Sequence, residues 1–276
     1  MKVAAIQMVS DIDLDTNLRA ADRLLQQAAA QGAELAGLPE YFCLMGQRDT
    51  DKLSFQERVG QGVIQDFLAD AARRHGLWIL GGTLPMSSDD PVHIRNCSLL
   101  FNPNGKLHAR YDKIHLFNYD NGHERYDESR VLQAGDTPVC CELASRDGHH
   151  WRVGMSVCYD LRFSALYHAL NADLIAVPSA FTYTTGQAHW EVLLRARAIE
   201  NMAYVMAPAQ GGLHANGRRT WGHTMLVDGW GQILQQQEQE EGVVCTELSY
   251  TALQERRQQL PALTHRKALG AVRPTL

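Results

Sequence analysis

Residues 2–9, KVAAIQMV, form a nearly unbroken apolar run at the start of the chain. Such a run is far too short to cross a membrane and reads as a buried strand. Comparable runs recur: ELAGLPE at 34–40, WILGGTL at 78–84, NCSLLFN at 96–102, WRVGMSV at 151–157, ADLIAVPSA at 172–180, AYVMAPAQ at 203–210, TMLVDGWGQIL at 224–234 and GVVCTEL at 242–248. Helical patterns lie between them. Alanines and leucines fill 15–31, with Asp13 or Asp15 placed to cap the start and Gly32 after the end; 61–75 is closed by Gly76. A third helix is predicted from Cys158 to about Leu170, and a fourth over 188–203, where Trp190, Leu193, Leu194 and Ile199 fall at helical spacing. Buried strands alternating with helices predict an α/β fold of mixed sheets covered by helices.

The turn NPNGK at 102–106 predicts a hairpin joining NCSLLFN to HARYDKIHLF at 108–117. The polar stretch 118–135 reads as a long loop, and loops of that length inside a compact domain usually carry function. QQQEQEE at 235–241 reads as an exposed hairpin tip. No linker divides the chain, so residues 1–276 are expected to form a single domain. Residues 253–276, polar and basic with Pro261 and Pro274, read as an extended C-terminal tail.

The formal charge of −5 gives no sign of a nucleic-acid surface, and the pairs Arg73–Arg74 and Arg218–Arg219 read as solvated faces. The six cysteines include no C-x-x-C pair and no zinc-like His/Cys spacing. Reduced thiols in a cytoplasmic protein are the simplest reading. The chain enters its first strand directly, with no secretory leader pattern, and no apolar run reaches membrane-spanning length.

Three strand ends carry chemistry. Glu40 closes LPEYF, Lys113 lies in RYDKIHLF, and Cys158 follows the strand in SVCYDLRF. Polar groups at strand ends of an α/β fold commonly line one crevice. There a carboxylate can take a thiol proton, an ammonium can stabilise a thiolate or an oxyanion, and sulfur can attack a carbonyl carbon. The free N–H groups at a helix start would favour the thiolate further. Taken singly, each residue has a plainer reading: a solvated glutamate, a surface pair of Lys113 with Asp112, and a packed core cysteine. Spacing alone does not bring them together.

LPEYF, RYDKIHLF and SVCYDLRF resemble, in order, the three signature regions of the nitrilase superfamily of carbon–nitrogen hydrolases. The likeness extends to KVAAIQM, PSAF at 178–181, AHWEVLLRARAIEN at 188–201 and WGHTMLVDGWGQIL at 221–234, so it spans almost the whole chain. It implies a four-layer α-β-β-α sandwich and an amidase working through a thioester acyl-enzyme, with no metal or organic cofactor. By that resemblance Cys158 is the nucleophile, Lys113 the catalytic lysine and Glu40 the general base. A second glutamate is implied in the loop after the lysine; Glu128 in DES fits the pattern better, with Glu124 as the alternative. The Tyr159 N–H would join Lys113 at the oxyanion, and Asp160 reads as structural. Arg162 would bind a substrate carboxylate, the plainer alternative being a salt bridge to Asp160 or Glu200. Phe181 and Thr185 would line the pocket, while Arg195 and Arg197 would tie down the long helix.

CYDLRF and AHWEVLLRARAIE are similar to the two branches acting on α-keto acid amides, deaminated glutathione amidase and omega-amidase. APAQGGLHANGRRTWGHTMLVD, at 207–228, resembles the first more closely, although VDGWG lacks the proline usual between Asp and Trp. The implied reaction converts deaminated glutathione to 2-oxoglutarate and cysteinylglycine. Alternatives are hydrolysis of 2-oxoglutaramate, a carbamoylase or other small-amide hydrolase, a metal hydrolase lacking ligand spacing, and a non-catalytic binding scaffold. The implied assembly is a homodimer or larger homo-oligomer, with loops 43–52 and 118–135 shaping the pocket. The expected partner is a small-molecule amide, not nucleic acid or a membrane.

Overall fold

The computed structural model describes residues 1–267. The chain opens with β1 (Lys2–Gln7), α1 (Leu14–Ala30), β2 (Leu35–Gly37), α2 (Val63–His75), β3 (Trp78–Leu80), β4 (Leu84–Ser87), β5 (Ile94–Phe101) and β6 (Leu107–Asp112). A small hairpin of β7 (Asn118–Asp120) and β8 (Arg125–Asp127) follows. Next come β9 (Val139–Ala144), β10 (His150–Met155), α3 (Ser164–Leu170), β11 (Leu174–Ala176), α4 (Tyr183–Asn201) and β12 (Tyr204–Ala207). The chain continues through β13 (Gly211–Leu213), β14 (Arg219–Trp221), β15 (Thr224–Val227), β16 (Ile233–Gln237), β17 (Gly242–Glu247) and α5 (Tyr250–Gln259).

Seven strands form one sheet in the order β17-β1-β2-β3-β5-β4, with β6 also paired to β5; six form a second, β16-β15-β12-β11-β10-β9. Side-chain alternation explains why β1 is apolar throughout. Val3 and Ala5 enter the core shared with the second sheet, and Ala4 and Ile6 enter the core under α1 and α2. Leu35/Ala36 and Leu80/Ile79 divide the same way. Beyond the second sheet, α3 and α4 close the stack with Leu166, Trp190 and Leu194. The layers therefore run α-β-β-α, the sandwich expected.

Several elements depart from the sequence reading. QQQEQEE is not a hairpin tip: β16 belongs to one sheet and β17 to the other, so Glu238–Glu241 carries the chain between layers. The helix predicted from Cys158 to Leu170 is two pieces, a 3₁₀ turn over Cys158–Arg162 and then α3, broken at Phe163. α4 starts at Tyr183, where the Thr182 hydroxyl accepts the Thr185 N–H and caps it. Residues 118–135 are partly ordered by β7, β8 and a 3₁₀ turn at Glu128–Arg130.

The expected extended tail begins instead as α5, capped by Ser249, which accepts from Ala252 N. Its polar sequence hid it, because only Leu253 is buried. Arg257 holds the helix to the second sheet, donating to the Met202 carbonyl at 2.9 Å and the Ala172 carbonyl at 2.7 Å. Residues 268–276, the rest of that tail, lie outside the described residues.

The turn between β13 and β14 is pinned by a buried histidine. His214 Nδ1 meets the Ser10 carbonyl at 2.9 Å and Nε2 meets the Thr220 hydroxyl at 2.8 Å. Burial pushes its imidazole down to about 4, with the Ser10 contact opposing and Arg218 adding to the fall. The unfolded imidazole protonates near 6.5, so the unfolded state takes up a proton the folded state refuses. This group's contribution is full above about pH 6.5 and drains away toward pH 4. Between pH 7.5 and 5 the wild type should lose about 2 kcal/mol more than His214→Gln in urea melts. A wild-type loss no larger than the variant's would contradict this reading.

Candidate active site

Three crossover geometries bring the site together. β1, β2 and β3 run parallel, and so do β10, β11 and β12, so their C-terminal ends gather at one edge of each sheet. After β2 the chain turns away through Leu38–Pro39 to Glu40. Gly82 permits that turn: it has φ +48, and a Cβ there would lie 2.0 Å from the Pro39 carbonyl oxygen. Tyr41, just past Glu40, also takes a left-handed backbone, with φ +57. Lys113 follows β6 directly, where its N–H donates to the Asn96 carbonyl at 3.0 Å. Cys158 lies three residues past β10 at φ +50, its N–H bonded to the Pro178 carbonyl at 3.0 Å. A non-glycine residue held there costs about 1–3 kcal/mol, which the surrounding structure must impose.

Asp160 imposes much of it. One carboxylate oxygen accepts from Tyr111 OH at 2.7 Å and Val157 N at 2.8 Å; the other meets His115 N at 2.9 Å and His115 Nδ1 at 2.7 Å. Tyr111 lies two residues before Lys113 and Val157 one before Cys158, so this carboxylate ties the lysine strand to the cysteine turn.

Lys113 is 1% exposed and sits between two carboxylates. Its Nζ is 2.9 Å from Glu40 Oε1, and 3.0 and 2.8 Å from the two oxygens of Glu128. Glu40 Oε1 also accepts Asn96 Nδ2 at 2.9 Å, and Oε2 accepts the Ala180 N–H at 3.0 Å. Glu128 is held by Tyr41 OH at 2.7 Å and Phe117 N at 2.7 Å. Glu124 stands apart, with Oε2 accepting from the Thr184 hydroxyl at 3.3 Å. The lysine's second carboxylate is therefore Glu128.

Burial pushes the Lys113 ammonium toward neutrality, but Glu128 and Glu40 outweigh it and raise its pKa. Glu128 shows the complementary result: burial raises it, Lys113 and Lys52 pull harder, and its carboxyl falls below the usual range. Cys158 behaves differently. Burial, then the Glu40 charge, push the thiol well above its ordinary value, with Lys113 pulling the other way and the hydrogen bond to Glu40 adding to the rise. The sequence reading favoured a thiolate through the helix start. The element after Cys158 is only a five-residue 3₁₀ turn, and burial beside a carboxylate works against the thiolate.

A narrow pocket opens on Cys158, Glu40 and Glu128. Tyr159, Arg162, Phe181 and Thr185 all line it. Arg162 forms no carboxylate pair among the described residues; its guanidinium lies 3.3 Å from His189 Nδ1 and over the Tyr159 and Phe181 rings. Glu200, one alternative partner considered for it, is taken by Arg197, whose Nη1 is 2.9 Å away. Arg197 Nε also donates to the Leu161 carbonyl, and Arg195 to that of Gly231, so both fasten α4.

Sequence reasoning missed Asn96, the Ala180 N–H and Arg218. Asn96 looks like an ordinary strand residue, and a backbone donor has no side-chain signal. Arg218 was read as solvated; only its neighbour Arg219 is exposed, stacked on the Tyr183 ring, while Arg218 helps wall the pocket.

The carbon–nitrogen hydrolase family model matches residues 2–258, and the chain belongs to that family. It is 41% identical to a deaminated glutathione amidase of Yersinia enterocolitica, over 99% of this chain and 96% of that protein. It is 34% identical to an omega-amidase of Mus musculus, over 97% and 95%. Among solved structures, a CN-hydrolase superfamily protein of Xanthomonas campestris, carrying an arsenic adduct in its active site, superposes with a TM-score of 0.83 at 28% identity, covering 99% of each chain. This places the chain among the amidases of the family, in the branch where those two activities are named.

The electrostatics make a prediction of defined sign. Glu40 raises the Cys158 thiol and Lys113 lowers it. Glu40→Gln removes the first influence and keeps the second. Alkylation of Cys158 by iodoacetamide should therefore set in at lower pH in the variant than in the wild type. Peptide mapping of the labelled thiol across a pH series reads it. An unchanged or upward-shifted profile would mean that Glu40 does not govern the thiol.

Proposed function

We propose that this amidase hydrolyses deaminated glutathione to 2-oxoglutarate and cysteinylglycine through a Cys158 thioester, with Glu40 as general base, Lys113 as oxyanion donor and Glu128 as the lysine's orienting partner. The observation that carries the substrate class is Arg162: a guanidinium in the pocket wall with no carboxylate partner among the described residues. It suits the carboxylate of a keto-acid acyl group. Similarity to the Yersinia enterocolitica protein supports the dipeptide leaving group. Similarity to the mouse omega-amidase supports 2-oxoglutaramate, which shares the acyl half and differs in releasing ammonia.

The proton route follows from counting acceptors. A carboxylate offers about four lone-pair sites. On Glu40, Oε1 is filled by Lys113 and Asn96, and Oε2 takes one bond from Ala180. One site remains, on Oε2. It receives the thiol proton as sulfur bonds to the amide carbon, and the carbonyl electrons move onto oxygen. Lys113 and the N–H of Tyr159, in the first turn after the nucleophile, hold that oxyanion. Collapse breaks the C–N bond, and the amine leaves with the Glu40 proton. Water then gives a proton to Glu40 as it attacks the thioester, and the acid departs as the thiol regains that proton.

We also infer, from the family resemblance, a homodimer formed through the outer helices in a reducing cytoplasm. Exposed apolar Val192 and Ile199 on α4, with Trp230 nearby in sequence to β15, support the first part. The six free thiols accord with the second. Sedimentation equilibrium tests the assembly: a monomer at micromolar concentration would overturn it.

Cys158→Ala should abolish hydrolysis while its circular dichroism stays that of the wild type; retained turnover would sink the covalent route. Glu40→Gln should lower kcat by about a hundredfold or more. Arg162→Met should cut the ratio of kcat/KM for keto-acid amides over uncharged short amides by about thirtyfold or more, the scale of losing a charge-assisted pair. An unchanged ratio would make Arg162 structural and remove the main support for the substrate class.

A further inference from the structure

The pocket at Cys158 is not closed on its far side. Arg218 is common to it and to an adjoining, much roomier groove. That groove is lined by four cationic side chains, Arg48, Lys52, Arg125 and Arg218, against the single carboxylate of Asp49. A third hollow shares Lys52 and Arg218 with the groove and Glu128 with the pocket, and Asp49 and Asp127 also line it.

Arg218 is unusually short of partners for a guanidinium in a wall. Its Nη2 donates to the Ala180 carbonyl at 3.2 Å, its Nη1 meets only the Met45 sulfur at 4.0 Å, and its plane lies over the Tyr126 ring. Its Nε is buried with no hydrogen-bond partner, and it pairs with no carboxylate among the described residues. Lys52 sits over the Tyr41 ring, 4.2 Å from its centre, with the exposed Asp49 carboxylate 4.0 Å away. A guanidinium fork with a free donor beside an ammonium is a site for a carboxylate.

We propose that the groove is the leaving-group subsite and that Arg218, with Lys52 beside it, binds a carboxylate carried by the amine half of the substrate. The substrate class is then an amide whose amine half is a short peptide with a free C-terminus. This rests on the reading of Cys158 and Arg162 given above and separates its two candidate substrates, because ammonia would leave the groove unused. Arg162 selects the acyl half and Arg218 the amine half.

The test compares deaminated glutathione with the same molecule capped as its glycinamide. Wild-type kcat/KM should favour the free acid by about a hundredfold, and Arg218→Met should bring that ratio to within about threefold of unity. Arg218→Lys should keep part of the preference. The ratio is the readout because Arg218 also holds the Ala180 peptide beside Glu40, so its loss can lower turnover of both substrates equally. A wild-type ratio near unity, or a ratio unmoved in Arg218→Met, overturns the subsite. A second arm uses no acyl group. By saturation-transfer NMR, cysteinylglycine should bind the wild type better than cysteinylglycinamide, and Arg218→Met should abolish the difference. If no 2-oxoglutaryl amide is turned over, the function proposed above fails. The subsite then stands on an Arg218-dependent preference for cysteinylglycine and falls without one.

Discussion

The burial of one ammonium ion organises this protein's chemistry. An isolated charge taken out of water costs several kcal/mol even after relaxation. Lys113 is 1% exposed, so its partners must be close and fixed. Glu40 and Glu128 supply them, and each carboxylate needs its own donors in turn. Asn96 and the Ala180 N–H satisfy Glu40; Tyr41 and the Phe117 N–H satisfy Glu128. Five stretches of the chain, at 40–41, 96, 113–117, 128 and 180, thereby meet around one nitrogen. Two carboxylates around one ammonium leave an excess negative charge. Lys52 relieves part of it by its pull on Glu128. Preorganisation here is a consequence of charge burial, and catalysis uses the geometry that burial already requires.

Strain is stored beside that network. Tyr41 and Cys158 both hold positive φ, and each directly follows or carries a reacting group. Replacing either constraint with relaxed backbone would swing Glu40 or the sulfur out of register. The four bonds on Asp160 prevent this on the cysteine side. Tyr111 and Tyr167, both buried, flank the same region, and Tyr167 OH reaches Ser156 at 3.0 Å. Polar side chains therefore brace the turn where apolar packing alone would leave it free to relax.

How much of this could be read from the sequence depended on whether a residue's role was local. Apolar runs exposed the strands, because a strand buried on both faces has no polar alternation. Glu40, Lys113 and Cys158 stood out as polar residues at strand ends, and the family resemblance favoured Glu128, in DES, over Glu124. The choice between hairpin and layer crossing at 235–241 had no local signature, since it depends on which sheet β17 joins. α5 was hidden because a helix docked through Arg257 and one buried leucine has no apolar stripe. Arg218 was hidden for a related reason. An arginine beside another arginine looks solvated until the fold places its Nε in a wall.

The segment Pro178–Thr182 touches Cys158, Glu40 and both arginines of the proposed subsites. The Pro178 carbonyl holds the Cys158 N–H, and the Ala180 N–H holds the base. The Ala180 carbonyl takes Arg218, the Phe181 ring lies under Arg162, and Thr182 caps the helix that carries His189. Cys158, Glu40, Arg162 and Arg218 thus share five consecutive residues. A carboxylate drawing Arg218 toward the groove would pull on the Ala180 carbonyl, and the N–H that meets Glu40 Oε2 lies in the preceding peptide, across the Ala180 Cα. Under the proposed subsites, occupancy of the groove and alignment of Glu40 would be coupled through two successive peptide planes that meet at the Ala180 Cα.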